Sequence, residues 1–356
     1  MAEFTAFDHA MMRRALALAE RGLYTTTPNP RVGCVVTSGE RVVGEGWHEK
    51  AGLPHAEALA LRDIDAADAT VYVTMEPCAH QGRTPPCVDL LLSRRVGRVV
   101  AAMRDPNREA AGGADRLSAA GVRFEHGLLE EEARELNIGF VSRMTRARPW
   151  VRLKVAATLD GGTALSDGKS QWITGAEARR DGHRWRARAC AILTGGGTVL
   201  TDDPRLTVRD VATPRQPLRV VVDSRLETPP GARILPALIF SARAGKLPGA
   251  EVVVLPNAHG KVDLPAMLAE LARRGINELH VEGGFRLNGS LVREGCVDEF
   301  LLYFNPSFLG GHEKGGALGM VDLPQPASLD ARLRLRVLSL ERLGEDLRLL
   351  ARPAER

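Results

Sequence analysis

Apolar and polar positions along the chain follow two periods in turn. Met11, Met12, Ala15, Leu18 and Ala19 recur at helical spacing, with Asp8 as a cap and Gly22 as a stop, which predicts a helix over residues 8–21. A turn-rich stretch, Thr25-Thr26-Thr27-Pro28-Asn29-Pro30, leads to two strands, 32–37 and 41–47, joined by Ser38-Gly39-Glu40 as a hairpin. Helix and strand then alternate: helix 55–62, strand 70–74, helix 86–93, strands 96–103 and 122–126, and a charged helix 130–140. A basic, polar run ending at Pro149 places a domain boundary near residue 146.

The second half repeats the alternation. Strands are expected at 150–157, 191–194, 219–223, 237–241, 251–255, 279–281 and 299–304, and helices at 176–189, 264–274 and 287–294. Residues 333–351 alternate enough for one or two closing strands. Alternating helix and strand predicts two α/β domains, 1–146 and 147–356, the second with a mostly parallel sheet.

Composition narrows the classes. At 356 residues the chain exceeds the ~100–200 of one domain. With 44% hydrophobic and 26% charged residues it is too apolar for disorder. Residues 1–8 carry neither a basic stretch nor an apolar run, so no signal peptide is expected, and no apolar run approaches the ~20 residues of a membrane span. A cytoplasmic enzyme is the expectation. Five cysteines (34, 78, 87, 190, 296) are too scattered for a disulfide framework and need another explanation. The net charge of +4 is small for the length and argues weakly for a nucleic-acid partner.

The cysteines find that explanation in His55-Ala56-Glu57, Pro77-Cys78 and Cys87. One imidazole and two thiolates are the three-ligand count of a catalytic zinc, which lowers the pKa of bound water to about 7. Glu57, two residues from His55, is placed to shuttle that water's proton. His-x-Glu followed by Pro-Cys and a second Cys is the signature of zinc nucleobase deaminases. Its usual cysteine spacing is two residues; here Ala79 to Pro86 intervene, eight in all. Cys34, Cys190 and Cys296 read as core.

The run Glu76-Pro77-Cys78-Ala79-His80-Gln81-Gly82-Arg83-Thr84-Pro85-Pro86-Cys87 resembles the zinc loop of the bifunctional riboflavin-biosynthesis deaminase–reductase family, where the long spacing is normal. Thr27 to Cys34, Gly44-Glu45-Gly46-Trp47-His48 and Asp105-Pro106-Asn107 are similar to its deaminase half. The resemblance implies a cytidine-deaminase-like three-layer domain that removes ammonia from 2,5-diamino-6-(5-phosphoribosylamino)pyrimidin-4-one, with Asn29, His48 and Arg83 near substrate. Arg108 stands where many members have Pro, and that loop receives no role. Taken singly, His48, His80 and Arg83 read equally well as ordinary loop residues.

The second half lacks a Gly-x-Gly-x-x-Gly fingerprint, but Gly195-Gly196-Gly197-Thr198 and Glu282-Gly283-Gly284-Phe285 each follow a strand, where α/β sheets bind ligands. Leu153-Lys154-Val155-Ala156, Ser170 to Thr174, Thr198-Val199-Leu200 with Asp202 to Leu206, and Val281 to Gly284 resemble the family's reductase half. That resemblance implies a dihydrofolate-reductase-like domain that uses NADPH to reduce the product's ribosyl group to ribityl. It places cofactor contacts at Ala156, Trp172, Thr198, Asp202, Ser224 and Gly284, Phe285, Arg286, Leu287, Asn288, Gly289 and Ser290. It places substrate contacts at Ser170, Arg186, Leu206, Arg209 and Glu282. Lys154 is one of six lysines and lies inside an apolar strand, where an unpartnered ammonium is costly, so it is a candidate catalytic group with Asp202 and Glu282. For Arg186 the competing reading is a solvated face of the basic stretch Arg179, Arg180, Arg184, Arg186, Arg188.

The expectation is therefore one zinc per chain, NADPH, a small phosphorylated pyrimidine substrate, no nucleic acid or membrane partner, and a homo-oligomer. Two other readings stay open: a nucleic-acid deaminase, which should show more than 4% aromatic residues for base stacking, and a zinc-stabilised binding protein. Glu57 argues against the second, since a structural zinc takes four protein ligands and needs no such carboxylate.

Overall fold

The computed structural model describes residues 3–82, 84–310 and 318–354, in two compact units, Met1–Ala147 and Arg148–Arg356. The first unit runs α1 (Ala6–Glu20), β1 (Gly33–Ser38), β2 (Arg41–Trp47), α2 (Ala56–Ala60), β3 (Thr70–Val73), α3 (Cys87–Ser93), β4 (Arg98–Ala101), α4 (Gly113–Ala119), β5 (Arg123–His126), α5 (Glu130–Leu136) and α6 (Ile138–Arg146). Its sheet has the order β2-β1-β3-β4-β5, antiparallel at the hairpin end and parallel from β3 onward. The two-residue period of the strands sorts the core into two layers. Cys34, Val36, Val71, Val73, Val99 and Ala101 face α2, α3 and α4. Val35, Tyr72 and Val100 face α1, α5 and α6.

Local details differ from the sequence reading. The first helix is capped by Thr5, whose hydroxyl accepts from Asp8 N–H, while the Asp8 carboxylate accepts from Thr5 N–H. Asp8 is thus the inner member of a capping box, and it also accepts from Tyr72 Oη at 2.7 Å and Arg98 Nη1 at 2.6 Å. The expected helix 130–140 is two helices broken at Asn137. Asn137 accepts from Arg31 N–H at 2.8 Å and donates to Arg31 O at 2.9 Å, tying down the loop that follows Asn29. The basic run before Pro149 continues α6 as far as Arg146.

The second unit runs β6 (Trp150–Thr158), α7 (Ala176–Arg188), β7 (Ala191–Gly195), α8 (Gly196–Asp202), β8 (Leu218–Val222), β9 (Ala237–Ser241), β10 (Ala250–Val254), α9 (Leu264–Arg273), β11 (Glu278–Val281), α10 (Phe285–Arg293), β12 (Glu299–Asn305), β13 (Leu335–Leu343) and β14 (Asp346–Pro353). Its sheet has the order β10-β9-β8-β7-β11-β6-β12-β14-β13. It is parallel from β10 to β12 and antiparallel only through β14 and β13, so the mostly parallel sheet is as expected. Leu153, Leu193, Val220 and Phe240 pack on α9 and α10. Lys154 and Ala156 belong to the opposite face, which Ala178 and Trp185 of α7 cover. Among the described residues no helix is long and apolar enough to cross a membrane.

Candidate active sites

In the first unit the chain brings His55, Cys78 and Cys87 together. His55 is the N-cap of α2, Cys78 lies in the loop after β3, and Cys87 opens α3. Their ligand atoms lie within 4.8 Å of one another, and among the described residues this is the group of three that converges so. His55 Nδ1 is 3.3 Å from Cys87 Sγ and 3.6 Å from Cys78 Sγ. Cys87 N–H donates to Cys78 Sγ at 3.4 Å. One nitrogen and two sulfurs, anchored on two helix starts and a strand-end loop, fit a zinc ion with one coordination position left open. The two thiols share a proton unequally: the hydrogen bond from Cys87 pulls Cys78 down to about 4, and Cys78 in turn pushes Cys87 up.

Glu57 lies in the first turn of α2 and is buried, and burial raises its pKa. Close packing fixes this turn: a Cβ on Gly46 of β2 would stand 2.5 Å from Ala56 O. The cysteine loop is seated likewise, since a Cβ on Gly113 would meet Pro77 O at 1.8 Å. Glu76 accepts from Asp105, Gly112 and Ala114 N–H, bracing the same loop from below.

Asn29 and His48 sit beside this group. The His48 ring stacks edge-on to His55 with centroids 5.3 Å apart. His48 Nδ1 is 3.1 Å from Pro54 O, which can only accept, so Nδ1 carries the proton. Nε2 is then the acceptor for Asn29 Nδ2 at 3.1 Å, and burial keeps the ring neutral. Arg83 lies outside the described residues. Thr84 Oγ1, which sequence reasoning passed over, is 3.3 Å from His55 Nε2.

In the second unit a cleft of about 1400 Å³ opens at the carboxyl ends of the parallel strands. That exceeds the ~300–1,000 Å³ of an ordinary ligand pocket, and leaves room for a dinucleotide beside a sugar phosphate. It is lined by Lys154, Ala156, Ser170, Trp172, Arg186, Thr198, Asp202, Leu206, Arg209, Ser224, Glu282, Gly284, Phe285, Arg286, Leu287, Asn288 and Ser290. Gly289 is not on its wall: a Cβ there would lie 2.2 Å from Asp322 O, so this glycine serves the packing of α10. Gly195, which ends β7, and Gly283 and Gly284, which follow β11, line the cleft without side chains, and buried Asn288 Oδ1 accepts no hydrogen bond among the described residues. Side-chain-free backbone and an orphaned acceptor are fitting lining for a phosphate-rich, hydroxyl-bearing cofactor.

Arg186 is no solvated surface residue. It forms a two-pronged pair with Glu282, Nε to Oε1 at 2.5 Å and Nη2 to Oε2 at 2.9 Å, and the Arg side chain is only 15% exposed. The pairing holds Glu282 well below the usual carboxylate range even though burial opposes it. Burial depresses the Lys154 ammonium, which the charge of Glu282 partly restores. Its Nζ lies 5.8 Å from the Tyr303 ring centroid. Asp202 ends α8 on the cleft wall, and burial raises its pKa.

His183 escaped sequence reading because it sits in the basic stretch. It is on α7 one turn before Arg186, and its Nδ1 accepts from Arg209 N–H at 3.2 Å. Arg186 Nη1 donates to Thr207 O at 3.0 Å, so α7 holds the Leu206–Arg209 segment at two points. Burial, followed by Arg186, lowers His183 to about 4, so the ring is neutral and free to accept. The i, i+3 spacing of two residues on one helix face was the only available signal.

The cytidine and deoxycytidylate deaminase zinc-binding region family matches residues 5–103, and the RibD C-terminal domain family matches 149–349. Riboflavin biosynthesis protein RibD of Escherichia coli (strain K12) is 44% identical over 345 residues, 89% of this chain and 94% of the relative. RibD of Haemophilus influenzae is 41% identical over 99% of both chains. Acinetobacter baumannii RibD, form 1, superposes with a TM-score of 0.91 at 39% identity, covering 98% of this chain and 99% of that one. A Thermotoga maritima protein described as a diaminohydroxyphosphoribosylaminopyrimidine deaminase/5-amino-6-(5-phosphoribosylamino)uracil reductase gives 0.88 at 31% identity, covering 98% and 99%. With two sites built for two chemistries and relatives matched along nearly its whole length, the chain belongs to the bifunctional RibD deaminase–reductase family of riboflavin biosynthesis.

Proposed function

We propose that the first unit deaminates 2,5-diamino-6-(5-phosphoribosylamino)pyrimidin-4-one and that the second reduces the ribosyl group of the product to ribityl with NADPH. The observation that carries the deaminase reading is the convergence of His55, Cys78 and Cys87 next to buried Glu57. His55, Cys78 and Cys87 would hold the zinc ion, which when bound supplies a water acidified to near neutral pH. Glu57 takes the proton from that water as its oxygen adds to the ring carbon bearing the amino group. It would return that proton to the ring nitrogen, then pass the proton of the newly added hydroxyl to the amine as the carbonyl forms and the C–N bond breaks, so that the amine leaves as ammonia. A low-dielectric wall strengthens this proton hold, and Glu57 is within the first turn of the helix His55 caps. Asn29, neutral His48 held between Pro54 O and Asn29, and Arg83 would contact the substrate.

In the second unit NADPH, when bound, would supply the hydride for the anomeric carbon. Ala156, Trp172, Thr198, Asp202, Ser224 and the 284–290 segment are the assigned cofactor contacts, with Gly289 acting through packing. Ser170, Arg186, Leu206, Arg209 and Glu282 hold the substrate. Lys154, in the field of Glu282, gives a proton to the sugar-ring oxygen or imine nitrogen as hydride arrives. Elemental analysis for zinc, together with NADPH oxidation on the deaminated ribosylaminouracil phosphate, tests the proposal. One zinc per chain with substrate-dependent oxidation is expected; absence of both overturns it.

A further inference from the structure

Beneath α7 runs a column of polar side chains, and one of them has no part in the activity described so far. His280 is 0% exposed and is not on the cleft wall. Neither of its ring nitrogens has a hydrogen-bond partner of good geometry among the described residues. Burying an imidazole in that condition is costly, so its neighbours matter. On β11 the two-residue period puts Glu278 and His280 on one face and carries on to Glu282. His280 lies in register with Arg152 of β6, and β7 places Ile192 on its other side. Towards the start of β11, Arg152 donates to Glu278 at 3.1 Å and to Glu299 of β12 at 2.5 Å, with Arg188 and Arg352 on the same two carboxylates. Towards its end, Arg186 grips Glu282 by both prongs, and Lys154 of β6 lies in that carboxylate's field. Burial, with Arg152 and Arg186 beside it, outweighs Glu282 and keeps the His280 ring neutral.

A neutral imidazole has a single N–H to give, and a carboxylate can only accept. His280 Nε2 lies 3.4 Å from Glu282 Oε1, the oxygen that also takes Arg186 Nε. Nε2 is thus the protonated nitrogen. A carboxylate offers about four lone-pair sites. The two prongs of Arg186 and His280 answer three of them, which leaves one for the substrate in the cleft that Glu282 lines. Lys154 feels the charge of Glu282 yet makes no ion pair with it among the described residues. We infer that His280 is a positioning residue of the reduction: its Nε2–H closes on Glu282 Oε1, keeps that carboxylate seated on Arg186 and leaves Lys154 free to release its proton. Hydrogen bonds of this kind are often long without substrate and tighten around it. Without the donor, Glu282 turns its spare lone pair on Lys154, and an ammonium held by a closer carboxylate is a weaker acid.

This rests on the reductase reading, and the test separates the two. Full-length wild type, His280→Leu and His280→Gln, whose amide can donate from the place of Nε2, are assayed for NADPH oxidation on the deaminated ribosylaminouracil phosphate across pH. His280→Leu should lower kcat about tenfold, the scale of one lost hydrogen bond, and change KM by less than about threefold. It should also move the basic limb of the kcat profile up by about half a pH unit. The sign follows from the ammonium of Lys154: a closer carboxylate raises its pKa, so it stays charged to higher pH. His280→Gln should bring kcat back to within about threefold of wild type and return the limb to its place. NADPH affinity within about twofold of wild type in both variants reports an intact second unit. Wild-type kcat and limb in His280→Leu, or equal loss in the two variants, overturns the inference and leaves the reductase reading standing. Should His280→Leu fail to fold, nitrogen-15 spectra of histidine-labelled wild type and His280→Gln decide. A neutral ring with its proton on Nε2 at pH 7 is expected, and a proton on Nδ1 alone or an imidazolium overturns the inference. Wild-type protein that does not oxidise NADPH on this substrate overturns the reductase reading itself.

Discussion

Three side chains decide the proposed chemistry: Cys78, Glu57 and Lys154. The hydrogen bond from Cys87 and the neighbouring His55 hold the Cys78 thiol below its ordinary value, which favours the thiolate a metal ligand needs. Cys78→Ser should leave less than a tenth of the bound zinc, read by elemental analysis, with NADPH oxidation on the deaminated substrate retained. Lys154 follows buried Arg152 on one face of β6, opposite Leu301 in register, and the charge of Glu282 partly offsets the burial of its ammonium. Lys154→Met should cut NADPH oxidation on the order of 100-fold, the usual scale of a lost general acid, while NADPH affinity changes little. Oxidation at the wild-type rate would remove Lys154 from the mechanism. The motif residues were legible because their spacing is local and their chemistry rare. His183 was not, since nothing in the run Asp181-Gly182-His183-Arg184 distinguishes a buried acceptor from a solvated histidine.

At the level of elements, helix starts and the loops pinned to them hold the sites. α7 grips the Leu206–Arg209 segment through His183 and Arg186. His183→Leu removes the acceptor for Arg209 N–H and should raise KM for the ribosylaminouracil phosphate about tenfold with kcat nearly unchanged. His183→Asn, whose Oδ1 falls near the position of Nδ1, should restore most of it; equal damage by both would mean the ring is only packing. Asp8 does comparable service for α1. Burial pushes its carboxyl up, but Arg98, Thr5 N–H and Tyr72 outweigh that and hold it below the usual carboxylate range. A depressed folded pKa contributes stability above the unfolded value of 3.8 and loses it as the pH falls further. Asp8→Asn should therefore cost about 3 kcal/mol at pH 7, with the gap to wild type closing in acid unfolding below pH 4. Periodicity predicted most strands, and it missed α4 and α8 because both open on glycines that read as loop. It fused α5 and α6 because the competitor at Asn137, a pair of hydrogen bonds to Arg31, is 106 residues away in sequence. Long-range side-chain bonds of this kind leave no local signature.

For the whole molecule, the economy lies in one chain carrying a hydrolytic site on the first unit and a reductive site on the second. The two α/β layers were legible from alternation alone, and the antiparallel end of the second sheet only as one or two closing strands. The five cysteines, unexplained by composition, divide into Cys78 and Cys87 at the metal group and three buried in the interior. Arg98 and Arg152 are each bound to a buried carboxylate, and Arg186 to half-buried Glu282. On the proposed function the two sites act in order, deamination first, each with its own residues. Glu57→Gln tests it most directly, assayed once with the diaminopyrimidinone substrate and once with the deaminated product supplied. Ammonia release should fall by about three orders of magnitude, and NADPH oxidation should vanish with the first substrate yet proceed at nearly the wild-type rate with the second. Ammonia release at the wild-type rate, or no reduction of the supplied product, would contradict the account.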